Sequence, residues 1–289
     1  MSTATASIPA TTRMGDVHLT VSELERSLGY YREEIGLDVL DQGAGRASLG
    51  AGETELLDLE EEPGARPAGR HTGLFHFALR VPERVELARW LAHAARGRVP
   101  LVGMSDHFVS EAIYLTDPDG HGIEIYHDRP RELWEGQVMS RMTTDPLDVA
   151  ALLGELDDPA AAPFDGLPAG TDMGHVHLQV ADVPDAVSFY RDVLGFDLMA
   201  ELFGTAAFFG AGGYHHHVGA NTWHSRGASP PPPWSAALRH ATIVLPDAAE
   251  RDRVAGRIAD TGQEPEARPD GVLVRDPSGI NLLLTAPTG

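Results

Sequence analysis

The chain has no cysteine, so no disulfide can staple it and no thiolate can hold a metal. A metal would have to rest on His, Asp or Glu, which favours Fe(II), Mn(II) or Zn(II) over a sulfur-bound cluster. Basic residues are scarce: 22 Lys and Arg stand against 43 Asp and Glu, a formal net charge of −21. A surface that tracks phosphates needs a basic stripe, so nucleic acid is excluded as a partner. No apolar run approaches the ~20 residues of a membrane-spanning helix. The opening MSTATASIPATTRMG lacks the apolar core of a secretory signal. A cytoplasmic protein that meets no membrane is therefore expected. Apolar residues at 42% can bury a sizeable core, and 289 residues suit about two domains.

What is present is a repeat, the first thing to seek because it decides the fold. GDVHLTVSELERSLGYYREEIGLDVL from Gly15 matches GHVHLQVADVPDAVSFYRDVLGFDLM from Gly174. Val17, His18, Leu19, Val21, Tyr31, Arg32, Gly36 and Asp38 recur at one constant offset as Val176, His177, Leu178, Val180, Tyr190, Arg191, Gly195 and Asp197. TDPDG at Thr116–Gly120 recurs as RDPSG at Arg275–Gly279. Each half also has a middle strand with a histidine, LFHFALRVPE around His76 and LRHATIVLPD around His240, followed by helical patterns over Glu83–Arg98 and Ala248–Thr261.

The pattern predicts an α+β fold of four βαβββ modules in two pseudo-repeated halves, each half a cupped, barrel-like mixed sheet with helices outside. Within a module, Val17–Val21 alternates as a strand. Ser22 and Glu25 form a capping-box pattern, a helix runs to Ile35, and Gly36 stands where a C′ glycine belongs. Strands follow around Leu37–Leu40, Arg46–Leu49 and Glu53–Leu59. The expected division is a disordered tail over 1–13, a first domain over 14–130 that carries the site, a linker with a short helix at Leu147–Leu156 over 131–172, and a second domain over 173–289.

His18 and His76 open the first strands of two modules, and Glu124 sits between Ile123 and Ile125 in the strand Gly122–Tyr126. If the first two modules pack as partners, all three face one concavity. A buried carboxylate between isoleucines is costly unless paired or metal-bound. Two histidines and one carboxylate leave adjacent coordination positions open, which suits non-haem Fe(II) and oxygen; Mn(II) fits the same set. A lone strand histidine is more often a core residue, so the joint pattern carries the expectation.

The HLTV…YYREEIGL starts and DPDGHGIEIY endings resemble the vicinal oxygen chelate superfamily (glyoxalase, bleomycin resistance, dioxygenase). SDHFVSEAIYLTDPDGHGIEIYHDRPR and GGYHHHVGANTW resemble the type I extradiol dioxygenases of the bacterial catechol-2,3-dioxygenase group. The resemblance implies that His18, His76 and Glu124 are the Fe(II) ligands, that Tyr114 contacts a substrate oxygen, and that His107 is the acid–base histidine. It implies cleavage of a catechol with O2 as cosubstrate, and it leaves homo-oligomers open. The superfamily also contains O2-independent isomerases and lyases, and proteins that sequester aromatic compounds. Isomerase and lyase sites often use a fourth protein ligand, which Leu56-Leu57 in the first module does not supply; a sequestering protein would need no complete ligand set. Such dioxygenases usually keep the metal in the second half. Here that half has Leu283 and Leu273 at the positions of Glu124 and Tyr114, so the site is expected in the first half.

The run Tyr214-His215-His216-His217 stands apart. In a strand His215 and His217 would share one face and His216 the other. With His177 and His240 they make a second histidine cluster, readable as a carboxylate-free metal site or as a hydrogen-bonded relic of the repeat. His175 shares the face of His177, at the strand's rim. Trp223 and Pro230–Pro233 are expected in a covering loop.

Overall fold

The computed structural model describes residues 7–287. Four modules of four strands each are present. The first has β1 (Arg13–Val21), β2 (Asp38–Gly43), β3 (Arg46–Ala51) and β4 (Thr54–Glu61). The second has β5 (Gly73–Arg80), β6 (Gly103–Asp106), β7 (Ser110–Thr116) and β8 (Gly122–Asp128). The third has β9 (Asp172–Gln179), β10 (Asp197–Leu202), β11 (Ala206–Gly210) and β12 (Val218–Asn221). The fourth has β13 (Leu238–Val244), β14 (Glu266–Arg268), β15 (Gly271–Arg275) and β16 (Asn281–Thr285).

The first helix, α1 (Leu24–Tyr30), widens into a π-helical turn over Tyr31–Ile35 and ends at Gly36, whose φ of 90° is the left-handed conformation glycine adopts freely. The capping box is not used. Ser22 Oγ donates to Asp119 instead, and the Leu24 N–H donates to Glu61. The second module's helix is α2 (Arg84–Gly97). The expected tail is packed from Ser7 on: Ile8 is buried and its N–H donates to the Gly195 carbonyl. Residues 1–6 lie outside the described part. In the linker the short helix spans Val149–Leu153.

The modules do not pair within their halves. One sheet runs β14-β15-β16-β13-β1-β4-β3-β2 and joins modules one and four. The other runs β6-β7-β8-β5-β9-β12-β11-β10, with a two-residue strand at Asp145–Pro146 on its β6 edge, and joins modules two and three. We call these the outer-module and inner-module sheets. Each has an antiparallel seam, β1 on β13 and β5 on β9. The modules of one half meet through their turns. Asp117 Oδ1 accepts the N–H groups of Asp119 and His121, and its Oδ2 accepts the Tyr31 hydroxyl at 2.9 Å. Asp276, Ser278, Ile280 and Tyr190 repeat this arrangement in the second half. The repeated Tyr and DP motifs are thus the joints between modules.

Candidate metal centre

The β5–β9 seam builds the site. His175 and Ala78 are register partners there, as are His177 and His76. On the other side of β5, Glu124 of β8 is also the partner of Ala78. The small Ala78 side chain leaves the floor clear, so His175 and Glu124 flank it while His76, two residues along β5, points to the same face. Nε2 of His76 lies 3.0 Å and Nε2 of His175 3.2 Å from the same oxygen, Oε2 of Glu124. Among the described residues these three are the one group of His, Asp or Glu whose ligand atoms all lie within 4.8 Å of each other.

All three are buried. Burial alone would raise the Glu124 pKa, but contacts with His175 and His76 overcome it and hold the carboxyl well below its usual range. Burial lowers His175 to about 4 against the pull of Glu124, so the ring is neutral at pH 7. His76 Nε2 has no well-aligned hydrogen-bond partner despite its proximity to the carboxylate, and His175 Nδ1 has none. Two imidazoles, that of His175 neutral, converging with an ionised carboxylate are the donor set a divalent cation takes, and the group can hold one.

Beside the triad stands a hydrogen-bonded pair. His107 Nδ1 lies 2.6 Å from the Thr143 carbonyl, and its Nε2 2.6 Å from the Tyr114 hydroxyl. The carbonyl can only accept, so Nδ1 carries the proton and Nε2 accepts from the phenol. Tyr114 is the β7 partner of Glu124. Burial and then that negative charge push its pKa well up, which keeps the phenol protonated.

A cavity of about 560 Å³ opens over triad and pair. On the side away from Tyr114 it is lined by His177, His216, Phe208 and Trp223. His216 Nδ1 is 2.8 Å from His215 Nδ1, and His215 Nε2 is 2.7 Å from Asp128. Burial would raise Asp128, but His215 and Arg80 bring it to about 2. The ionised carboxylate therefore accepts from His215 Nε2–H, His215 Nδ1 accepts from His216 Nδ1–H, and His216 Nε2 is left as an acceptor.

The structure thus brings together His76, Glu124, His107 and Tyr114 of the expected residues, and leaves His18 out. His18 lies in the outer-module sheet, its Nδ1 3.7 Å from Asp58 and its Nε2 3.3 Å from Glu60. It is excluded because module one pairs with module four. The expected second cluster is also dispersed. His240 packs edge-on against His18, His177 against His76, His215 bonds Asp128, and His217 Nδ1 accepts the Ala211 N–H. The run bends rather than forming a strand, so alternation of faces does not apply. The sequence reading missed His175 and His216. A signal for His175 existed: His76 stands three residues before Leu79 and five before Val81, as His175 stands before Leu178 and Val180. At that position module one has Asp16.

The arrangement of modules defines the class. The model of the Glyoxalase/Bleomycin resistance protein/Dioxygenase superfamily matches residues 13–125 and 172–284, and the chain belongs to this superfamily. It is 44% identical over 279 residues to a protein named catechol-2,3-dioxygenase from Bacillus subtilis (strain 168), covering 94% of this chain and 96% of that one. In fold alone it is similar to a solved structure from Bacillus subtilis subsp. subtilis str. 168 (TM-score 0.65, 16% identity, 98% of this chain and 87% of the other). It is likewise similar to glyoxalase I from Zea mays (TM-score 0.59, 17% identity, 96% and 92%). No helix among the described residues is long and apolar enough to cross a membrane.

Proposed function

We propose that this chain is an extradiol ring-cleaving dioxygenase that opens a catechol beside its diol. Its metal is Fe(II), with Mn(II) accepted by the same donors, on His76, Glu124 and His175. The observation that carries the reading is the buried convergence of these three side chains beside the Tyr114–His107 pair, in a chain with a catechol-2,3-dioxygenase relative of nearly equal length.

When bound, the metal supplies the Lewis-acid and redox chemistry that joins diol and O2. The protein's own groups handle protons and position. Tyr114 keeps its proton turned to His107 Nε2, so its oxygen accepts a hydrogen bond from a hydroxyl of the diol. His107, with Nδ1–H fixed on Thr143, offers Nε2 to take a proton and return it. His216 offers a second acceptor across the cavity, oriented by His215 and Asp128. Phe208, Trp223 and Leu202 give the cavity an apolar wall. The isomerase and lyase alternative often draws on a fourth protein ligand, and the converging group has three.

The test is oxygen uptake. Protein loaded anaerobically with Fe(II) is given catechol or a substituted catechol in oxygenated buffer, with Glu124→Ala as control. The expected result is stoichiometric O2 consumption with a yellow ring-opened product, absent in the variant. Metal-loaded protein that consumes no O2 with any of these diols would refute the reading.

A further inference from the structure

A cavity of about 150 Å³ already accepts benzene, and catechol is that ring with two oxygens. The cavity here is about 560 Å³. A metal ion and its waters, at roughly 30 Å³ per water, leave most of the difference unfilled. The surplus has a definite chemical character. On the side away from Tyr114, Phe75 lies 5.3 Å ring to ring from both His177 and Trp223, and Phe208 lies 5.5 Å from His177. Leu202 continues this wall. Trp223 at 46% exposure and Val102 at 70% carry apolar surface out to the cavity's mouth. No Lys or Arg is among the lining residues, and Glu124 is the one acidic side chain there. With Glu124 engaged by the metal, a carboxylate on the substrate's substituent would find no Lys or Arg to pair with.

We propose that the substrate of this site is a catechol bearing a neutral, apolar substituent of aryl size, rather than catechol itself or a carboxylated catechol. The proposal rests on the dioxygenase reading above. The diol is held at the triad beside Tyr114 and His107. The substituent lies against Phe75, Phe208 and Trp223, where edge-to-face contact favours a second ring. Leu202, packed in one cluster with Phe208, sets how large a group can enter.

The experiment compares catechol, 3-phenylcatechol, 4-phenylcatechol and 3,4-dihydroxyphenylacetate on the Fe(II)-loaded enzyme. It measures kcat/KM by oxygen uptake, and Kd by anaerobic calorimetry as a readout free of turnover. At least one phenylcatechol is expected to exceed catechol about 10-fold or more in kcat/KM, the scale of added apolar contact in a fitting pocket. Its Kd is expected to be lower in the same order, and 3,4-dihydroxyphenylacetate is expected to rank last. Leu202→Trp is expected to shrink the phenylcatechol-to-catechol ratio. Trp223→Ala, at a partly exposed position in contact with Phe75, should move it the same way by removing an aromatic contact of the substituent. Catechol turned over as well as or better than both phenylcatechols would overturn the proposal and leave the dioxygenase reading standing. Absence of turnover with all four diols would overturn both.

Discussion

The two sheets share one backbone plan and differ in what occupies equivalent positions. In the inner-module sheet, Ala78 is flanked by Glu124 and His175, with His76 on the same face. In the outer-module sheet, the position of Ala78 is taken by Thr242, paired with Leu283 where Glu124 would stand. Asp16 stands where His175 would, and His240 where His76 would. Acidic groups are present there but already engaged. Asp58 is bonded by Arg46, and Glu60 by Arg239 at 3.2 Å. His18 turns its two nitrogens to two different carboxylates. One sheet leaves a buried carboxylate with histidines and a tyrosine but no guanidinium beside it, and the other neutralises its carboxylates with guanidinium groups. The chemistry therefore follows the charge balance of a few side chains, not the repeat that carries them.

The sharpest way to break that contrast is to remove one donor from each sheet. His175→Ala or Glu124→Ala is expected to abolish stoichiometric metal binding, while His18→Ala retains it, as read by elemental analysis after loading and desalting. The reverse pattern would return the site to module one. Next in size, His107→Phe is expected to keep its metal and to lower turnover roughly 10²–10⁴-fold, the usual share of a general acid–base group. Unchanged turnover would take His107 out of the mechanism.

Much of this was legible in the sequence because it is local. The Tyr31–Asp117 and Tyr190–Asp276 joints, the Gly36 terminus and the four modules all leave repeated residues behind. His76, Glu124, Tyr114 and His107 lie within a single module, so their grouping follows from its strand order alone. Which module pairs with which is not local. The four first strands resemble one another, and the choice of β9 rather than β1 as the seam partner of β5 is made by long-range packing. Matching His18 to His177 by identity also hid the ligand position, because the pleat repeats every two residues. Aligning the strands on their Leu-x-Val ends would have set His175 beside His76 and exposed Asp16 as the break in the pattern.

Acid should separate the sheets as well. Burial holds His175 at about 4 and His217 at about 3, and His177 and His216 well below their usual value, all in the inner-module unit. Each is neutral when folded and takes a proton near ~6.5 when unfolded, so its stabilising contribution is complete above pH ~6.5 and is lost as pH falls through the folded value. For His175 alone the loss amounts to about 3 kcal/mol. The outer-module sheet has His18 at about 4 and His240 lowered, but also Asp276 raised by burial to about 6. Asp276 has the opposite sign. Its folded state keeps a proton the unfolded chain releases near ~4, so its contribution is present at low pH and fades as pH rises through 6. Between pH 6.5 and 4 the metal-free protein should lose amide-exchange protection in β5, β8 and β9 before β1, β13 and β16. Simultaneous loss would mean that the sheets are one cooperative unit.

The smallest expected difference lies in a pair of matching glycines. Gly174 and Gly15 each precede the site position of their sheet, His175 in one and Asp16 in the other. A Cβ on Gly174 would fall 1.7 Å from the Tyr126 hydroxyl oxygen and 2.7 Å from the ring carbon that carries it. That ring cannot swing away, because Tyr126 is fully buried and its hydroxyl is held at 2.7 Å by Tyr214, itself bonded to Asp128. A Cβ on Gly15 would meet the Thr242 and Val244 methyl groups at 2.9 and 3.0 Å, contacts that small side-chain shifts relieve. Gly174→Ala is therefore expected to cost about 1–3 kcal/mol more than Gly15→Ala in denaturant unfolding, the usual size of overpacking. It should also weaken metal binding, since relief of the clash must move His175 or Tyr126, whereas Gly15→Ala should leave metal affinity as it was. Removing the hydroxyl with Tyr126→Phe should recover only part of the Gly174→Ala loss, because the ring carbon at 2.7 Å remains. Full recovery would place the whole constraint on the hydroxyl and its partners rather than on the packing of the ring against the β5–β9 seam.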